Sequence, residues 1–236
     1  MGYQNITVTS GFSIFAPTFK DVTAETYDLT DILPLHQDGD EFGTSGSRRC
    51  NGAIKINKIN STGNYTTTYS FYTMPAKSGW YDGDTKVEAG DVVLTKGEAI
   101  LVNNLYKSMP VLFRVSGEVD LVPTNVIPAG FALYGNSTPV TVNLSAIAML
   151  HQDGDPFGKS GARRCNGAIK INKISTGGNY TTTYSFYTMP TKSGWYDGDT
   201  KIEGDAVTFA PGEAFLINNL YKSMPVLIKL PSAVVE

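Results

Sequence analysis

Residues 36–115 return as residues 151–230 without an insertion, and 60 of the 80 aligned positions are identical. Whatever fold this chain adopts must therefore be built twice. The longest shared phrase is polar and Gly-rich: "HQDGDEFGTSGSRRCNGAIKINKI" at 36–59 and "HQDGDPFGKSGARRCNGAIKINKI" at 151–174. Upstream the likeness continues more weakly. "GFSIF" then "YDLTDI" parallels "GFALY" then "VNLSAI", with four extra residues in the first copy. The repeat divides the chain into residues 1–117 and 118–236, each near the common domain size of about 100–150 residues. The joint, "VSGEVDLVPTNVIPAG", is short and strand-like. It is not a flexible Gly/Ser linker, so the two units are expected to be rigidly coupled.

Within a unit the hydrophobic period is two. "YTTTYSF" puts Tyr65, Tyr69 and Phe71 on one face and Thr66, Thr68 and Ser70 on the other. "AIKINKI" alternates Ile54 and Ile56 with Lys55 and Asn57. "DVVLT", "EAILVNN" and "PVLFRV" are short apolar runs, and "DGD" and "TKG" are turn chemistry. No long stretch carries a helical apolar stripe. Short strands at this spacing predict an all-β chain: two tandem, near-identical antiparallel β-sandwich or β-barrel domains. About seven to nine strands per unit are expected at that turn spacing.

Composition narrows the function classes. Apolar residues are 41% of the chain and charged ones 17%, enough to pack a core. The net charge of −3 argues against a phosphate-neutralising nucleic-acid surface and against a polybasic membrane patch. No apolar run reaches the roughly 18 residues of a spanning helix, so no membrane insertion is expected. The opening "MGYQNITVTSGFSIF" has no basic n-region and no long apolar h-region, so no secretory signal is expected. The two cysteines, Cys50 and Cys165, are too few for a disulfide framework. They hold the same place in each copy. Units related by translation or a screw would keep them apart, reduced and unlinked.

The order of motifs within a unit adds a resemblance. "IPAGFALYGNSTPVTVNL" opens the unit, "GWYDGD" stands in its middle, and "APGEAFLINN" leads into a closing "PVLIKL". This resembles poorly characterised β-repeat domains of bacterial surface proteins and of phage or prophage structural proteins. The resemblance spans both units and implies an all-β domain with a structural role. It implies no catalytic residue.

Several residues are candidates for chemistry. Four DGD tripeptides supply Asp38, Asp40, Asp82, Asp84, Asp153, Asp155, Asp197 and Asp199. Calcium takes six to eight oxygens, often from Asp-rich loops that Gly allows to turn. Asp-Gly is also a plain hairpin turn, and no other cofactor is expected. Trp80 with Tyr81, and Trp195 with Tyr196, have the composition of a glycan platform. The competing reading is that each Trp caps the core while the Tyr points outward. His36 and Cys50 would make a hydrolase only if an oriented Cys–His pair formed, and no nucleophile elbow or oxyanion signature accompanies them. Arg48, Arg49, Arg163 and Arg164 are candidates to bridge carboxylates across a subunit boundary. "NNLYKSMP" places Tyr106, Met109, Tyr221 and Met224 on a loop suited to an interface.

The copies differ most where strands look like core: Ile100 against Phe215, Leu94 against Phe209, Phe113 against Ile228. The polar phrases stay the same, although loops tolerate change better than cores. Recent duplication accounts for this; so does a shared surface offered to the same kind of neighbour. The favoured expectation is a non-enzymatic structural protein, a phage virion component such as a capsid decoration, tail or fibre protein. It would be assembled in the host cytoplasm and partnered by itself and by other proteins of the assembly. The alternative is an extracellular or cell-surface bacterial adhesin or filament subunit, with a glycan as ligand.

Overall fold

The computed structural model describes residues 2–17, 19–20, 26–95, 97–119, 124–174 and 180–231. It is all-β, with antiparallel sheets and four 3₁₀ turns as its only helical elements among those residues. No helix among them is long and apolar enough to cross a membrane.

The long alternating runs form the spine. In residues 2–119 a six-stranded sheet runs in the order Gly11–Phe15, Ile100–Asn104, Asn51–Ile59, Tyr65–Met74, Lys77–Asp82, Thr85–Lys86. A second sheet pairs Val111–Val119 with Gly2–Val8, Phe19–Lys20 and Pro34–Leu35. The inward side chains of the two sheets, among them Ile54, Ile56, Val102, Val8 and Phe113, bury one shared core, as in a sandwich. Residues 124–229 repeat the plan. Gly130–Gly135, Ala214–Asn219, Asn166–Ile174, Tyr180–Met189, Lys192–Asp197 and Thr200–Lys201 make the large sheet. Thr124–Ile127, Val226–Lys229 and Ala148–Leu150 make the small one, over a second core. Among the described residues twelve strands fall in the first stretch and eleven in the second. That exceeds the expected seven to nine, because pieces of two or three residues pair at the sheet edges and carry too little pattern to read.

One face assignment is corrected. Tyr69 and Phe71 point into the core, but Tyr65 is 55% exposed. Opposite it the register slips, from Lys58↔Thr67 to Ile59↔Tyr65. A bulge of this kind shifts the alternation by one residue, and Tyr65 is left stacked on Phe12, with ring centroids 6.4 Å apart.

The two halves meet through equivalent residues. Ala16 N–H donates to Gly212 O at 2.9 Å, and Gly135 N–H donates to Gly97 O at 3.2 Å. Ala16 and Gly135 are the same position of the repeat, as are Gly97 and Gly212. Likewise Phe15 bridges Glu213 while its counterpart Tyr134 bridges Glu98. Contacts exchanged in both directions mark an isologous, twofold-like arrangement. This overturns the expectation of a translation or screw: the surface that each unit exposes beside the outer strand of its large sheet, Gly11–Phe15 or Gly130–Gly135, is self-complementary. An apolar cluster of Ala16, Ala99, Leu101, Leu133 and Leu216 fills the contact.

Candidate assembly surface

The polar phrase folds as a loop tied to its own sheet. His36 N–H donates to Asp40 O and Gly39 N–H to His36 O, each at 2.8 Å. Gly39 takes φ +87° to close that turn, a conformation that costs Gly nothing. Further along, Thr73 pins the loop to the sheet. Its hydroxyl accepts from Cys50 N–H at 2.8 Å and donates to Gly43 O at 2.7 Å. Asn104, 1% exposed, does the same for the 103–110 loop. Its amide donates to Val8 O at 3.2 Å and Met109 O at 2.9 Å, while its oxygen accepts Tyr106 N–H at 3.0 Å.

These two loops are neighbours. Tyr106 stacks on Phe42 with centroids 6.2 Å apart, and its hydroxyl donates to Arg49 O at 3.3 Å. Burial, with Cys50 beside it, pushes the Tyr106 phenol above its ordinary range. The second unit repeats the arrangement through Phe157, Tyr221 and Arg164. The two phrases singled out in the sequence thus form one patch on each unit. Arg49, Leu105 and Lys107 face outward there, as do Arg164, Leu220 and Lys222.

Several candidates are engaged within their own unit. Arg48 pairs with Asp38, and with Asp40 at 3.2 Å. Arg163 pairs with Asp153, and with Asp155 at 3.6 Å. These arginines bridge carboxylates within their own loop. Tyr106 and Met109 pack against the first core, and Tyr221 and Met224 against the second. Leu105 and Leu220, each 51% exposed, escaped the sequence reading. The signal was present: one apolar residue follows the Asn cap in "NNLYKSMP".

The calcium reading does not gain a site. Asp38 and Asp40 already face Arg48, and Asp84 lies 3.0 Å from Lys77 Nζ. Asp153 and Asp155 face Arg163, and Asp199 faces Lys192 at 3.0 Å. Asp82 and Asp197 end their strands at the neighbouring turns. Among the described residues no three His, Cys, Asp or Glu side chains come together as a metal site.

The glycan platform is corrected as well. Trp80 and Trp195 are each 1% exposed. Their indole N–H groups donate to Ile32 O at 2.9 Å and Ile147 O at 3.1 Å. Tyr81 and Tyr196 lie on the other sheet face, yet are only 9% exposed. Lys77 Nζ lies 4.5 Å from the Tyr72 ring centre and 4.6 Å from that of Tyr81, and Lys192 does the same to Tyr187 and Tyr196. The place that a sugar would take beside Tyr81 is held by the chain's own lysine, through cation–π attraction.

Cys50 and Cys165 are free and fully buried. Their thiols donate to Phe71 O and Phe186 O at 3.2 Å. His36 instead lies 3.0 Å from Asp38 Oδ1 and edge-on to Phe42. The sequence's Cys–His pair is therefore not assembled. Comparison of the chain with family models, curated proteins and solved structures found no match.

Proposed function

We propose that this chain is a non-enzymatic building block of a larger protein assembly, a virion part such as a capsid decoration, tail or fibre protein. One observation carries the reading: the same exposed patch, made from the 36–49 and 103–110 loops, occurs twice on a chain whose halves contact each other reciprocally. Such a chain offers a neighbouring protein two equivalent docking faces at a fixed relation. That is what pseudo-symmetric packing requires. The inward Trp residues weigh against the glycan-binding alternative.

The test is electron microscopy of native particles together with light scattering of the purified chain. Association through the two patches is expected. A strict monomer at high concentration, with no density for the chain in any particle, would refute the proposal.

A further inference from the structure

A cleft of about 690 Å³ opens at the junction of the two units, within the roughly 300–1,000 Å³ of small-molecule sites. Ile59, Leu94 and Ile100 of the first unit and Val126, Ile127 and Leu133 of the second form apolar walls. Asn57, Lys58 and Glu98 supply the charged and amide groups.

The repeat provides an internal control. In the second unit the counterpart of Lys58, Lys173, lies 3.4 Å from both Glu213 Oε1 and Thr208 O, and 5.1 Å from the centre of the Phe209 ring. Phe209 in turn packs on Phe215 at 4.6 Å. In the first unit those rings are Leu94 and Ile100. Glu98 directs Oε2 to Thr95 N–H at 2.9 Å and to its hydroxyl at 3.1 Å, as Glu213 directs its own Oε2 to Ala210 N–H at 3.0 Å, but Glu98 forms no ion pair with Lys58 among the described residues. Lys58 is left half-buried, and its ammonium has no partner among the described residues. Asn57 differs in the same sense. Its oxygen accepts from Thr68 at 2.8 Å, but its amide nitrogen is buried without a partner. The equivalent Asn172 nitrogen reaches Leu216 O at 3.4 Å. A half-buried ammonium and a buried amide left open are costly unless something accepts from them.

We infer that this cleft binds a small amphipathic carboxylate, with its anionic end on Lys58 and its apolar body along Leu94, Val126 and Leu133. Charge-assisted pairing fixes the head, and burial of the chain along the walls supplies affinity. The site is independent of the assembly patches, so the two proposals stand or fall separately.

Methyl and amide NMR of the full chain, titrated with decanoate, tests this. Saturable shifts confined to Ile59, Leu94, Val126 and Leu133 are expected. Lys58→Met should weaken binding by about tenfold or more, while Lys58→Arg should stay within about threefold. Val126→Glu, at a position 64% exposed, should also weaken it, by placing a negative charge on the wall. Lys173→Met should leave it unchanged. Decanol binding as well as decanoate, shifts spread over the whole surface, or no saturable shift at all would each overturn the inference.

Discussion

The methyl group of Ala16 stands 2.6 Å from where a Cβ on Gly135 would be placed, and the two residues hold the same position in their respective units. Gly135 does not adopt a left-handed backbone, so what it provides is space. Gly135→Ala should destabilise the junction by about 1–3 kcal/mol, the usual cost of overpacking. Adding Ala16→Gly should recover part of that. The recovery is only partial, because Glu213 O and Ala214 Cα would still lie 2.9 and 3.1 Å away. A double-mutant cycle by thermal unfolding measures the coupling. Additive effects would mean that the halves do not meet here.

Trp80 and Trp195 serve the fold. Each is enclosed beside a ring, Phe71 or Phe186, at 5.1 Å. Each also donates to the carbonyl of the residue that caps a 3₁₀ turn, Ile32 or Ile147. Trp80→Ala and Trp195→Ala should each cost about 3–5 kcal/mol, and by similar amounts, since the environments repeat. Chemical denaturation of the two variants checks this. Near-native stability in either would count against the core role.

Much of this architecture was legible in residues. The alternation in "YTTTYSF" and "AIKINKI" located the central strands, because a half-buried sheet enforces a period of two. Tyr65 was misread because a bulge leaves no mark in composition. Tyr81 was misread because its cover is split between Lys77, from the strand's own start, and the edge of the Tyr72 ring on the neighbouring strand. The relation between the units was illegible for a different reason. Reciprocity depends on which sheet edge each unit leaves open, and Ala16, Gly97 and their counterparts look like ordinary turn residues. Arg48 was expected to bridge carboxylates across a subunit boundary; it pairs with Asp38 and Asp40 of its own loop instead, because spacing alone does not show which carboxylates a folded loop brings to it.

That loop has a pH signature. Loss of water contact raises the Asp38 carboxyl, but His36, the Asp40 N–H and Arg48 together hold it below the ordinary carboxylate range. Asp153 is held down likewise. A carboxyl depressed in the folded state stabilises above its unfolded pKa of 3.8, and loses that contribution as pH falls through the folded value. Asp38→Asn should therefore lower the melting temperature at about pH 6 and make no difference by about pH 2. A difference that persists undiminished in acid would show that the carboxylate charge is not what matters.

The thiols should be silent until the chain unfolds. Cys50 and Cys165 have no exposed surface and sit in separate cores. Reaction with a thiol reagent needs an accessible thiolate. No labelling is expected in the native chain, and two thiols per chain after denaturation without reductant. Fewer than two would reveal a disulfide.

The last expectation concerns Leu105 and Leu220. Each is half-exposed at the tip of a loop that the adjoining Asn104 or Asn219 fixes from beneath. Covering the exposed half of a leucine contributes roughly half of the about 1.5–3 kcal/mol of full burial, so the pair together reach the about 1.4 kcal/mol that is a factor of ten in affinity. Replacing both with Lys should then weaken assembly by tenfold or more. Stability should barely change, within about 0.5 kcal/mol, as for surface positions generally. Light scattering and thermal melting on Leu105→Lys/Leu220→Lys separate the two effects. Weaker association at unchanged melting places the contact on these patches. Unchanged association would remove them from the assembly surface and leave the duplicated loops explained by their internal hydrogen bonds alone.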